Sequence, residues 1–220
     1  PALLDRLLLK IKKYKYHPSV VAITQPTEYG TLYSLEELRE LCTYVHELGM
    51  HVYLDGARLG SAAAALDASL NDLIEKTGVD VFSFGGTKAG AIFGEMIIFR
   101  HPEFAENIAY LQKQSLQHLN KSQFLGVQME CILEKELWLS MAARANEMAK
   151  VLERKLREKN VEIFYPVQTN MVFCVIATEK LAQITEYFDL HYWDESTHTV
   201  RLATTYQTSE EEIDTLAALL

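Results

Sequence analysis

MHVYLDGAR at residues 50–58 and VDVFSFGGTK at residues 79–88 follow one plan: a strand-length run rich in β-branched and aromatic residues, then an abrupt change to glycine and charge. Each reads as a buried strand whose end is marked by glycine, which lets a ligand or another backbone come close. Working outward, Ser19 to Thr24 (SVVAIT) is a further such run, followed by a Gln-Pro turn. Between it and MHVYL, Ser34 ahead of Glu36 and Glu37 forms a capping-box pattern. Leu35, Leu38, Leu41, Val45 and Leu48 then make a helical stripe that Gly49 stops. Ala57 to Leu66 reads as a small-residue helix or turn, Asn71 to Thr77 as a helix ending at Gly78, and Gly94 to Arg100 (GEMIIFR) as another strand. Strands alternating with helices through short loops predict an α/β fold with a largely parallel sheet and flanking helices.

From Pro102 onward the pattern turns to long helices, over Glu103 to Gln117 and then Ser122 to Lys159, the second long enough to be two consecutive or kinked helices. Strands return after Asn160 at Val161 to Phe164 and Met171 to Ile176. A helix near Lys180 to Phe188, a strand at Thr199 to Ala203 and a capped closing helix from Ser209 follow. The expected organisation is therefore a large α/β domain over residues 1–118, long linking helices over 119–159, and a small α+β domain over 160–220.

A chain of 220 residues buries roughly 70% of its unfolded surface. With 49% hydrophobic and 23% charged residues its composition is ordinary for a globular protein. A net charge of -9 argues against nucleic acid, which calls for clustered lysine and arginine. No apolar run reaches the roughly 18 residues of a membrane-spanning helix. Pro1 to Lys15 is an amphipathic leucine and lysine pattern rather than a signal peptide. The three cysteines, Cys42, Cys131 and Cys174, are too scattered for a disulfide framework or a CxxC zinc site, which suggests a reducing, cytoplasmic setting. The histidines lack paired ligand spacing, so no structural metal is expected. His46 and His51, flanking the Gly49 turn, read as capping or surface residues, and Met141 and Met148 as helix packing.

Ligands of open α/β sheets sit beyond the carboxyl ends of the strands. Asp55 and Lys88 stand there. A carboxylate beside a pyridine nitrogen keeps that nitrogen protonated, making the ring an electron sink, and a partly desolvated lysine forms a Schiff base with an aldehyde. Each residue alone also has an ordinary reading: a strand-end aspartate is usually a cap or turn residue, and a loop lysine is usually solvated.

Taken together, HVYLDGARLGSAA (51–63) and DVFSFGGTKAGAIFGEMIIF (80–99) resemble the core segment of low-specificity threonine aldolases and their β-eliminating lyase relatives. Residues 24–35 (TQPTEYGTLYSL), 168–174 (QTNMVFC) and 200–214 (VRLATTYQTSEEEID) are similar to further segments of that family in the same order. The resemblance implies the fold of pyridoxal 5'-phosphate-dependent transferases, that cofactor, and aldol cleavage of a β-hydroxy amino acid. It implies that Asp55 pairs with the pyridine nitrogen and that Lys88 forms the internal aldimine. Arg58 and Arg201 would hold the substrate carboxylate in their planar forks. Thr87 would bond the cofactor phosphate, a turn role being equally open. Lys121, in HLNKSQ (118–123), sits near the place of a phosphate-binding basic residue contributed by a neighbouring subunit, although the glycines that precede that residue in the family are absent. A homodimer or homotetramer is implied as well. So is a section upstream of residue 1 that bears a phosphate cradle and a ring-stacking histidine, which makes the chain read as a fragment, a processed piece or a truncated paralogue. Beside aldol cleavage stand two other readings: β-elimination with the same lysine and aspartate, and a non-catalytic oligomerisation remnant.

Overall fold

The computed structural model describes residues 2–220; Pro1, where the amphipathic opening pattern begins, lies outside the described residues. Two compact units divide the chain. The first contains residues 1–25, 33–59 and 68–131, and the second residues 26–32, 60–67 and 132–220.

In the first unit, strands β1 (Val20–Thr24), β2 (His51–Asp55), β3 (Val81–Phe84) and β4 (Met96–Phe99) form one sheet in that order. β1, β2 and β3 run parallel, while β4 returns antiparallel against β3, so the sheet is mostly parallel as the alternating pattern predicts. Helix α1 (Ala2–Lys12) buries none of its residues. Helix α2 (Leu35–Glu47) joins β1 to β2 and starts at the expected cap: Ser34 Oγ accepts from Glu37 N, and Glu37 in turn accepts from Ser34 N. Its stripe buries Leu38, Cys42 and Val45, and Gly49, at φ 73°, takes the left-handed turn that ends it. Between β2 and β3 in sequence come α3 (Leu59–Leu66), nearly all of which belongs to the second unit, and a shorter α4 (Leu70–Leu73) than the sequence suggests. After β4, the stretch expected as one helix is a short 3-10 turn at Pro102–Ala105 and then α5 (Ile108–Gln114), with the break at Asn107, whose φ of -108° and ψ of 8° leave helical geometry. Helix α6 (Gln123–Glu134) follows.

At the amino end of β3, Asp80 is 4% exposed and draws in three histidines. His46 Nε2 lies 2.8 Å from Asp80 Oδ2, His51 Nδ1 3.8 Å from Oδ2, and His101 Nε2 3.6 Å from Oδ1. The Val52 N–H donates to Oδ2 at 2.7 Å. Among the described residues no group of three or more histidine, cysteine, aspartate or glutamate side chains could hold a metal ion. Burial by itself raises the Asp80 carboxyl, but the Val52 bond and the adjoining His46 outweigh it and hold the group below the usual carboxylate range. His46 and His51 are exposed, as a surface reading expects, and they also flank one buried carboxylate at the amino end of the sheet. Burial, reinforced by the Asp80 charge, pushes the Cys42 thiol up to about 12.

In the second unit, β5 (Met171–Val175), β6 (His191–Asp194) and β7 (Thr199–Ala203) form an antiparallel sheet in the order β5-β7-β6. The expected strand at 161–164 makes only a single bridge, Ile163 to Cys174, whereas β6 adds an edge that its polar and aromatic sequence does not announce. The long helical stretch resolves into α6 and then α7 (Leu137–Glu158), as its length foretells; the break falls at Glu136, which turns left-handed at φ 50°. Met148, Ala149, Leu152 and Leu156 of α7 pack with Val172, Cys174, Val200 and Leu202 of the sheet. Leu181 and Ile184 of α8 (Thr178–Ile184) and Ile213 and Leu216 of α9 (Glu210–Leu219) complete that core. The other face of β5 is also buried, with Phe173 1% exposed, which is why MVFCV is apolar at every position. No helix among the described residues is long and apolar enough to cross a membrane.

Two outcomes follow from this packing. Leu156→Ala should cost about 2–5 kcal/mol of stability, read from the urea midpoint. Because the folded Asp80 carboxyl lies below its unfolded value of about 4, its contribution is complete above that pH and disappears as the pH falls through the folded value. Stability measured against pH in Asp80→Asn should therefore be lower at neutral pH and flatter below about pH 4 than in the parent; equal acid slopes would contradict this assignment.

Candidate active site

The site is built where β2 and β3 end. Thr24 of β1 lies in register with Asp55, and the chain leaves β2 through Gly56, Ala57 and Arg58. The β3 chain leaves through Gly85 and Gly86 into a 3-10 turn at Thr87–Ala89 that carries Lys88. These two exits touch backbone to backbone. Gly85 N donates to Gly56 O at 3.2 Å. A Cβ on Gly85 would stand 2.1 Å from the Ala57 carbonyl oxygen, and one on Gly56 2.2 Å from the Ser83 carbonyl oxygen. Glycine is therefore required at both positions by the approach itself.

Ser83 locks the junction. Its Oγ accepts from Gly56 N at 3.0 Å and lies 3.4 Å from Asp55 Oδ1. The Ala57 N–H also donates to Oδ1, at 2.9 Å. Both hydrogen bonds to the half-buried Asp55 thus use Oδ1, which orients the carboxylate with Oδ2 as its second acceptor. Sequence reasoning missed Ser83; the signal available was a lone hydroxyl two residues before the double glycine in an otherwise apolar strand.

The turn bearing Lys88 is held at several points. Ala89 N donates to Gly85 O and Gly86 O, Ala91 N donates to Gly86 O, and Gly90 at φ 106° closes the turn. Thr87 Oγ1 accepts from Gly94 N at 3.1 Å, so its hydroxyl ties the two ends of the loop together. Ile92 N donates to Gln128 Oε1 at 2.8 Å, and Gly86 faces the Met129 side chain, which anchors the loop on α6. Lys88 and Thr87 are exposed and Arg58 is half-buried. Asp55, Arg58, Thr87 and Lys88 thus stand on two abutting loops of one unit. Lys121 lies exposed in the turn leading into α6 of that unit.

Arg201 belongs to the second unit. It sits on the central strand β7, in register with Phe173 of β5 and His191 of β6. Its Nε is buried without a hydrogen-bond partner among the described residues, and its guanidinium carbon stands 6.0 Å from the centre of the Trp193 ring. Nearby in that unit, Asn170 Nδ2 donates to Thr204 O at 2.8 Å and Asn146 Nδ2 to Ser61 O at 2.9 Å, polar ties that sequence reasoning did not single out.

Solved structures place the fold first. Threonine aldolase of Leishmania major superposes with a TM-score of 0.84 at 30% identity, over 92% of this chain and 60% of that one. Tryptophan decarboxylase of Catharanthus roseus shares the fold, with a TM-score of 0.72 at 17% identity over 100% of this chain and 53% of that one. The class is the pyridoxal-phosphate-dependent transferase fold. The β-eliminating lyase family profile matches residues 2–179, and the chain belongs to that family. A low-specificity L-threonine aldolase of Pseudomonas aeruginosa is 39% identical over 79% of this chain and 51% of its own length, and one from another Pseudomonas strain is 34% identical over 99% and 64%. The chain thus spans between about half and two thirds of the length of these relatives.

Family and fold imply pyridoxal 5'-phosphate as cofactor. The residues present fit it: an oriented aspartate with a second acceptor oxygen suits a protonated ring nitrogen, and a lysine follows a double glycine at the adjoining strand end. Gly85→Ala should drive the two strand exits apart and destabilise the protein by roughly 1–3 kcal/mol, seen as a lower thermal midpoint. An unchanged midpoint would mean that the junction is not close-packed.

Proposed function

We propose that the protein carries out pyridoxal-phosphate-dependent aldol cleavage of a β-hydroxy-α-amino acid, converting threonine to glycine and acetaldehyde. The observation that carries this reading is the pair of abutting strand exits with Asp55 oriented on one and Lys88 on the other. The named relatives support the choice of aldol cleavage. When bound, the cofactor withdraws electrons from the substrate α-carbon. Asp55 would hold the protonated ring nitrogen of the cofactor through a charge-assisted hydrogen bond, and Lys88 would be the amine that holds the cofactor in place. Thr87, and Lys121 contributed by a neighbouring subunit, would serve the phosphate. Arg58 and Arg201 take the substrate carboxylate, for which a planar bidentate fork is suited. In the net reaction the Cα–Cβ bond breaks, the β-hydroxyl loses its proton to a base, and the α-carbon gains one.

A homo-oligomer in a reducing, cytoplasmic setting belongs to the same reading. Its support is the exposed apolar surface of the first unit, where Leu116 is 90%, Ile92 83% and Tyr110 71% exposed, together with the free thiols of Cys42, Cys131 and Cys174. The family's own description favours β-elimination as the second reading.

Adding pyridoxal phosphate should produce the visible absorbance of lysine-bound cofactor, absent in Lys88→Ala, and incubation with threonine should release glycine and acetaldehyde. Serine or tryptophan turned over in place of threonine would move the assignment to β-elimination. Self-association with no cofactor absorbance would leave the oligomerisation reading in its place.

A further inference from the structure

We propose that Trp193 is a positioning residue for Arg201, holding the guanidinium so that it receives a carboxylate through its two terminal nitrogens. The proposal rests on the reading of Arg201 as a substrate-carboxylate arginine.

Strand alternation separates the two faces of the small sheet. Val200 and Leu202 point into the core with α7, so Arg201 between them belongs to the opposite face, beside Phe173. On that face aromatic rings are packed edge to face. Phe173 has its ring centre 5.1 Å from Trp193, 5.5 Å from Tyr165 and 6.0 Å from Tyr29. Tyr29 stands 5.7 Å from Trp193 at 69°. The indole is therefore braced from two directions, by Phe173 and by Tyr29, and Arg201 lies over the braced ring.

Four features of this arrangement bear on the role of Arg201. An arginine without support loses much rotamer freedom when it binds a ligand, and holding it beforehand removes that loss. The electron-rich ring face orients a cation without neutralising it. Among the described residues no carboxylate lies within ion-pair distance of Arg201, so its charge stays available to an incoming anion. Finally, Nε is sealed off from solvent, which rules out the sideways approach that uses Nε and leaves the end-on approach through Nη1 and Nη2.

The test has two arms. In nuclear magnetic resonance spectra of the protein without added cofactor, the Arg201 Nε–H should exchange slowly with solvent. Trp193→Leu should make it exchange fast, and Trp193→Phe should restore protection in part. With pyridoxal phosphate added, calorimetric titrations compare glycine with 2-aminoethanol, which lacks the carboxylate. Trp193→Leu should weaken glycine about twofold to thirtyfold and leave 2-aminoethanol unchanged. Fast exchange in the parent protein overturns the proposal, as does equal weakening of both probes. If Arg201→Ala weakens glycine while Trp193→Leu does not, the positioning role fails and the carboxylate role of Arg201 stands. If Arg201→Ala leaves glycine binding intact, the carboxylate role itself fails.

Discussion

The first unit is organised by the contact between two chain exits from one sheet. Gly56 and Gly85 bring the backbones after β2 and β3 to hydrogen-bonding distance, and Ser83 fills the remaining polar requirement by accepting from Gly56 N beside Asp55. A side chain at either glycine would collide with a carbonyl oxygen rather than with a flexible neighbour. That constraint brings a carboxylate and an amine to one end of the sheet. A parallel sheet imposes the same arrangement wherever it occurs, because consecutive parallel strands present their carboxyl ends, and hence their loops, on one side.

The opposite end of the sheet shows how the unit manages a buried charge. Asp80 is held below the usual carboxylate range by the Val52 N–H and by His46 of α2 and His51 of β2, and His101 after β4 stands 3.6 Å away, so the carboxylate joins pieces of chain distant in sequence. An unpaired buried carboxylate would be costly, and removing its partners would cost more than the pairing gains. The arrangement belongs to stability, and it accounts for three histidines at the end of the sheet opposite the strand exits bearing Asp55 and Lys88.

In the second unit the same strand, β5, is buried on both faces by different chemistry. One face meets the aliphatic surface of α7 and α9, the other a group of aromatic rings that ends at Trp193 and Arg201. Edge-to-face rings are stiffer than aliphatic packing because each ring has few rotatable bonds. A guanidinium resting on such a group inherits that stiffness.

The alternation of apolar runs and helical stripes was sufficient to place β1, β2 and β3, the capped start of α2 and the split of the long helical stretch into α6 and α7. These depend on local periodicity, on capping chemistry and on length, all of which are written along the chain. The glycines after β2 and β3 also marked where Asp55 and Lys88 stand, since glycine at a strand end signals close approach. Tertiary structure alone decided that the two exits touch, that Ser83 links them, that His46, His51 and His101 converge on Asp80, and that an unassuming edge strand, β6, carries the ring beneath Arg201. Each of these joins residues separated in sequence, and the pairing of distant side chains is set by packing energies that no local pattern encodes.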